Sequence, residues 1–296
     1  MRLIATLLLL LLPTGCGAPD YTPTLELRQQ RADYLEWVKP LQGVSKFIST
    51  DRCDSLLHSA LLAAGGAEVD VLAAREPSGR WLRRPVGLPE CLASGESRST
   101  ISRDQLIGVM TWAIMGERRD VLEALWDFGK SRDWKMGDSD GTIEGISRIY
   151  LSPNLIGTLA QAIYVMGGAD HPERFMRLRI TTPNEGFRRH LDLLDIMMRD
   201  RLGIDRTALD IVFIEAYRRE LRDNPLVQFL AGRYVEAERL LLHFHPIDRL
   251  PNSSETCGGL AWEHDIIESC PGVANEVPPV HFLLLSRILI EKGDNE

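Results

Sequence analysis

Apolar residues along most of this chain recur every three or four positions, the spacing that lines one face of an α-helix. The first stripe is thin. From Thr24 to Gln42 it is carried by Leu25, Leu27, Tyr34, Leu35 and Val38. A second helix is expected from near Asp51, through Leu56, Leu57, Leu61 and Leu62, to the stop Gly65-Gly66. Residues 67–86 break the pattern. Val69, Val71 and Leu72 precede Pro77-Ser78-Gly79, and Trp81-Leu82 follow, which predicts a small β-hairpin inserted between helices.

Later helix starts are marked by capping chemistry. Ser102-Arg103-Asp104-Gln105 reads as a capping box, in which Ser and Gln satisfy each other's free amides. That helix runs through Leu106, Met110 and Ile114 to Gly116, and another follows through Val121, Leu122, Leu125 and Trp126. Ser152-Pro153 and Asn224-Pro225 each place a cap before a proline at the first helical position. Thr182-Pro183-Asn184-Glu185 is a second capping box, leading to a stop at Gly203. Asp205 is read as the next start, Asn224 to Leu241 as one further helix, and Pro278-Pro279 as the lead into a last apolar helix. Short turns between such helices imply antiparallel hairpins. The fold expected is therefore all-α, a single domain over 25–296 with the hairpin insertion near 67–86. Leu230 to Ala237 resembles a fragment of a tetratricopeptide repeat, but it occurs once, and such repeats need several copies to bury a core.

The N-terminus is of another kind. Met1-Arg2 is followed by an apolar run from Leu3 to Leu12. At about ten residues it is too short to span a bilayer and fits the core of an export signal. It ends in Leu12-Pro13-Thr14-Gly15-Cys16, which resembles the lipobox of bacterial lipoproteins. The resemblance implies that residues 1–15 are a signal peptide and that Cys16 becomes a lipidated first residue. Multiple acylation would suffice for stable anchoring. Residues 16–24 would then be a tether, and Gly17 in place of Asp favours the outer over the inner membrane. The alternative is ordinary secretion, with Cys16-Gly17-Ala18 as a small-residue cleavage site ahead of Pro19.

Export changes how the remaining cysteines are read. Cys53, Cys91, Cys257 and Cys270 are an even set in an oxidising compartment and suggest two disulfides. Four cysteines allow three pairings; Cys53–Cys91 and Cys257–Cys270 close the shortest loops. No Cys-x-x-Cys or His-Glu-x-x-His spacing is present, so neither a metal nor another cofactor is expected. The net charge of −8 argues against a nucleic-acid partner, which needs a basic footprint.

Candidate chemistry sits at helix entrances: Asp51-Arg52-Cys53-Asp54, Ser99 to Gln105, and Ser147 to Pro153, with Trp81, Arg83 and Arg84 just before the second. A Ser-Arg-Asp-Gln opening followed by helical hairpins resembles carbohydrate-active enzymes of the (α/α) toroid type, here an incomplete toroid because the chain is short. That resemblance implies a glycoside hydrolase or polysaccharide lyase, with Asp54 and Asp104 as catalytic carboxylates. Trp81, Arg84, Arg103 and Arg148 would then bind substrate. Both aspartates open helices, where the dipole favours the charged form and suits a base or nucleophile. The competing class is a non-catalytic envelope lipoprotein that binds a glycan or a protein, since the same residues are what ordinary helix starts need.

Overall fold

The computed structural model describes residues 21–48, 55–88, 101–138, 148–176, 186–220, 222, 224–243 and 279–294. Helices dominate them, with one small sheet. In chain order the α-helices are α1 (Leu25–Val38), α2 (Ser55–Ala64), α3 (Arg103–Met115), α4 (Arg119–Lys130) and α5 (Pro153–Val165). They continue with α6 (Gly186–Arg201), α7 (Ala208–Glu220), α8 (Pro225–Leu230), α9 (Tyr234–His243) and α10 (Pro279–Asp294). The all-α class read from the sequence holds.

Two helices fill the centre. Every residue of α2 except Ala63 is buried, and every residue of α3 except Arg103 and Trp112. A helix buried all round needs neighbours on every side. Those of α3 are α2, α4, α5 and α6. Close approach rests on Gly108, where a Cβ would lie 3.1 Å from the Leu57 Cα. The two helices run parallel. Arg287 on α10 donates to Ala64 O at 2.9 Å and to Met115 O at 3.0 Å. Those carbonyls lie equally far past Leu57 and Gly108 along their own helices, so both C-termini meet at one guanidinium. Antiparallel hairpins predicted from short turns could not anticipate this pair, because the long segment between α2 and α3 lets the chain return to its starting end.

The termini close the structure. α10 packs on α1, α2 and α9. Gly65 lets α2 abut it, since a Cβ there would sit 2.8 Å from the Leu283 backbone.

Within 67–86 the chain reverses as expected. Gly79 takes φ +87°, and its amide donates to Glu76 O at 2.9 Å. The strand character is limited to one antiparallel bridge, Arg75 with Trp81, and the apolar run before it forms a 3-10 turn at Val71–Ala74. The two-stranded antiparallel sheet lies elsewhere, as β1 (Lys135–Asp138) paired with β2 (Arg148–Tyr150). Its register slips around Met136, which is buried. Residues 224–241 form two helices where the periodicity suggested one. Gly232 at φ +74° breaks them apart, and the Arg233 amide folds back to Gln228 O at 2.9 Å. α7 begins after Thr207 and not at Asp205. The Thr207 hydroxyl accepts from the Asp210 amide at 3.2 Å while the Asp210 carboxylate accepts from the Thr207 amide at 2.8 Å, a reciprocal cap.

Candidate functional site

Of the predicted site residues, Arg103 and Asp104 open α3, near the N-terminal end of α2. The segment from Trp81 to Arg84 crosses that end, with the Leu56 amide donating to Arg83 O at 2.8 Å. Arg103 projects outward and is exposed, and Arg84 is half-buried. Asp104, in the first turn of α3, is 6% exposed, and its Oδ1 has no hydrogen-bond partner. Arg148 opens β2 opposite Asp138, and only its backbone is described. Asp54 lies outside the described residues, as do Cys16, Cys53, Cys91, Cys257 and Cys270.

Two expectations change at this end. The capping box at Ser102 does not form. Ser102 takes the N-cap position with extended φ and ψ, but its hydroxyl makes no capping bond. Packing goes with this: Gln105, which should reach back to the start of the helix, is fully buried. Trp81 is 1% exposed and belongs to the core under the 75–81 reversal. Its ring therefore offers no open face for a sugar to stack on.

The opposite end of the molecule carries open space that the sequence did not flag. A depression of about 550 Å³ lies between the C-terminal end of α6, the turn after it, α8, α9 and the last turn of α10. Four of its six charged residues form two ion pairs. Arg201 meets Glu291 at 2.8 Å, and the Arg206 Nε meets Asp200 at 2.9 Å. Arg206 also donates to Leu230 O, fixing the turn after α6 to α8. Phe229 and Tyr234 supply an aromatic wall, with ring centres 5.5 Å apart, and Lys292 stands 5.6 Å over the Tyr234 ring. Arg201 also lines a second depression of about 610 Å³, shared with Arg119, Asp120 and Met166. There Arg119 donates to Gly167 O at 3.2 Å, and the Arg118 hydrogen bond holds Asp120 below the usual carboxylate range.

Beside the first depression, at Arg199, lies a buried ion cluster. Arg199 forks onto Asp210 at 2.8 and 2.9 Å and meets Asp195 at 3.3 Å. Thr158 and Asn154 each donate to Asp195 at 2.6 Å. This network joins α5, α6 and α7. Burial opposes the Arg199 charge, but the Asp210 hydrogen bond and both carboxylates hold its affinity for the proton above the ordinary value.

Chemically the two ends differ. Around Arg201 the carboxylates of Asp200, Asp120 and Glu291 each face an arginine, which suits recognition of a polar ligand and not proton donation. At the other end Asp104 is a buried carboxylate at a helix N-terminus. The signal that could have marked the first depression was the doubled Asp-Arg pair, Asp200-Arg201 and Asp205-Arg206, on either side of the Gly203 stop. Among the described residues no group of three or more His, Cys, Asp or Glu could hold a metal ion, and no helix is long and apolar enough to cross a membrane. Comparison with protein families, with curated proteins and with solved structures finds no match for this chain.

Proposed function

We propose that this protein is an extracytoplasmic lipoprotein, anchored through Cys16, whose helical domain binds an envelope glycan or protein in the depression around Arg201. The anchor rests on the export signal and the lipobox-like Leu12 to Cys16. The choice of binding over catalysis is carried by one observation: the open depression is lined by an aromatic wall and by two carboxylates, Asp200 and Glu291, already committed to arginines. Such a surface offers hydrogen bonds and a stacking face to a hydroxyl-rich or polar chain.

The second reading, a polysaccharide-degrading enzyme, is favoured by Asp104, whose buried Oδ1 has no protein partner. It needs a further acid to work with, since hydrolysis of a glycosidic bond takes two carboxyl groups. One experiment separates the two. Envelope polysaccharide is incubated with the wild-type protein, with Arg201→Ala and with Asp104→Asn. Binding lost in Arg201→Ala and kept in Asp104→Asn supports the binding reading. Released oligosaccharide that disappears in Asp104→Asn overturns it in favour of the enzyme. The anchor is checked separately: Cys16→Ser should leave the membrane fraction, and a variant that stays there refutes lipidation.

A further inference from the structure

The described chain begins in a latch. The Tyr21 hydroxyl donates to Glu238 at 2.5 Å, and the Thr24 amide donates to the same carboxylate at 3.0 Å. The Tyr21 ring lies 5.6 Å from Tyr234, and both Tyr21 and Glu238 are buried. On the other side Gly293 abuts the same segment; a Cβ there would fall 2.2 Å from Pro23. The start of the domain is thus gripped between α9 and the end of α10.

This latch sets a length. From Tyr21 back to Cys16 the chain has five residue steps, which at full extension reach about 17–18 Å. A lipid on Cys16 therefore keeps the latched corner within that distance of the bilayer surface. Two of the most exposed large apolar side chains border the same corner. Leu25, 82% exposed, directly follows Thr24; Val235, 70% exposed, follows Tyr234 and precedes Glu238 by one helical turn. The nearby arginines are matched, Arg28 with Asp294 at 2.5 Å and Arg239 with Glu236 at 2.7 Å, and the remaining charge beside Leu25 is the acidic Glu26, which accepts from the Gln30 amide at 3.2 Å. The corner thus has little reason to seek anionic headgroups, and its attraction to a membrane is apolar. Two aliphatic side chains hold a free protein weakly, but a short tether raises their effective concentration at the surface enough to matter.

We propose that the corner carrying Leu25 and Val235 rests on the phospholipid surface, with both side chains entering the boundary between headgroups and acyl chains. This contact orients the domain and brings the depression walled by Tyr234 close to the membrane. The inference rests on lipidation of Cys16.

The test uses the full lipidated chain in vesicles of phosphatidylethanolamine and phosphatidylglycerol. A photoactivatable p-benzoylphenylalanine is placed singly at position 25, 235, 44 or 175; the last two replace the exposed Val44 and Phe175 elsewhere on the surface. Lipid adducts at 25 and 235, absent at 44 and 175 and lost in the Cys16→Ser background, are the expected result. If the protein floats with the vesicles and its Cys16 peptide carries acyl chains, yet 25 and 235 give no lipid adduct, the orientation is wrong and the anchor stands. Equal adducts at all four positions likewise overturn it. A protein whose Cys16 peptide carries no acyl chain overturns the anchor and this inference together.

Discussion

The two ends of the parallel pair α2 and α3 solve the same problem in opposite ways. At the C-terminal end, carbonyls that a helix leaves free are met by arginines from other helices. Arg287 serves Ala64 and Met115, and Arg31 serves Gly65 at 2.5 Å while its other nitrogen reaches Leu283 O inside α10 at 2.9 Å. Positive charge there also complements two aligned helix dipoles. Burial beside Arg287 lowers the Arg31 affinity for its proton to about 10, desolvation being the main cause, which still leaves it charged at neutral pH. At the N-terminal end the polar side chains are buried and less well served: the Ser102 hydroxyl and the Asp104 Oδ1 have no partner. One end is built for stability. The other retains hydrogen-bonding capacity inside the packed structure, a place where a protein gives up stability or keeps a group for a ligand.

That contrast can be broken by substitution. Arg287→Met should be the most damaging change, because it strands two buried-end carbonyls and frees Glu291 from its 2.7 Å partner. A loss of about 2–3 kcal/mol in unfolding free energy is expected from the usual cost of unsatisfied groups. Denaturant titration would measure it, and a change below about 0.5 kcal/mol would mean that water serves those carbonyls equally well.

A smaller effect should come from pH. His58 is fully buried on α2, and burial pushes its pKa down from 6.5 to about 3. The unfolded chain therefore binds a proton before the folded one does. The stabilising contribution is complete above pH 6.5 and is lost progressively as pH falls toward 3. At pH 5 the wild type should have given up about 2 kcal/mol relative to pH 7, and a His58→Leu variant much less. Parallel pH profiles of the two proteins would show no point of convergence toward low pH if another group carries the effect.

The smallest effect should fall on Ser102→Ala. A working N-cap contributes about 1 kcal/mol, but this hydroxyl makes no capping bond, so a loss under about 0.5 kcal/mol is expected. A full capping loss in thermal unfolding would place the missing bond back in the structure and restore an ordinary structural role to this end.

Capping signals were reliable where the helix start was free of tertiary demands. Ser152 and Asn224 cap α5 and α8 through their side chains, as their Ser-Pro and Asn-Pro dipeptides predict. Thr24 also caps α1, and its hydroxyl bonds Glu238 as well. The signal failed at Ser102, where burial of Gln105 removed one half of the box. It was overlooked at Thr207, where Asp210 plays the part usually given to Glu and at the same time binds Arg199. The capping box at Thr182 lies outside the described residues.

The same division applies to the candidate site. The position of Arg103 and Asp104 in the first turn of α3 was readable because it is local to a helix start. Trp81 was misjudged, since nothing in its immediate neighbours distinguishes a core ring from a surface one. The depression around Arg201 draws on residues from α6, α8, α9 and α10, and no local pattern brings those together.

The sequence alone therefore determined the helical class and many of the helix ends, because hydrophobic period and capping act over a few residues. Tertiary structure alone decided that α2 and α3 run side by side in the same direction, that arginines from α1 and α10 cap them, and that Tyr21 locks onto Glu238. Those contacts join residues far apart in the chain, and they form because two helices buried on nearly every side need neighbours from α4, α5, α6 and α10 around them.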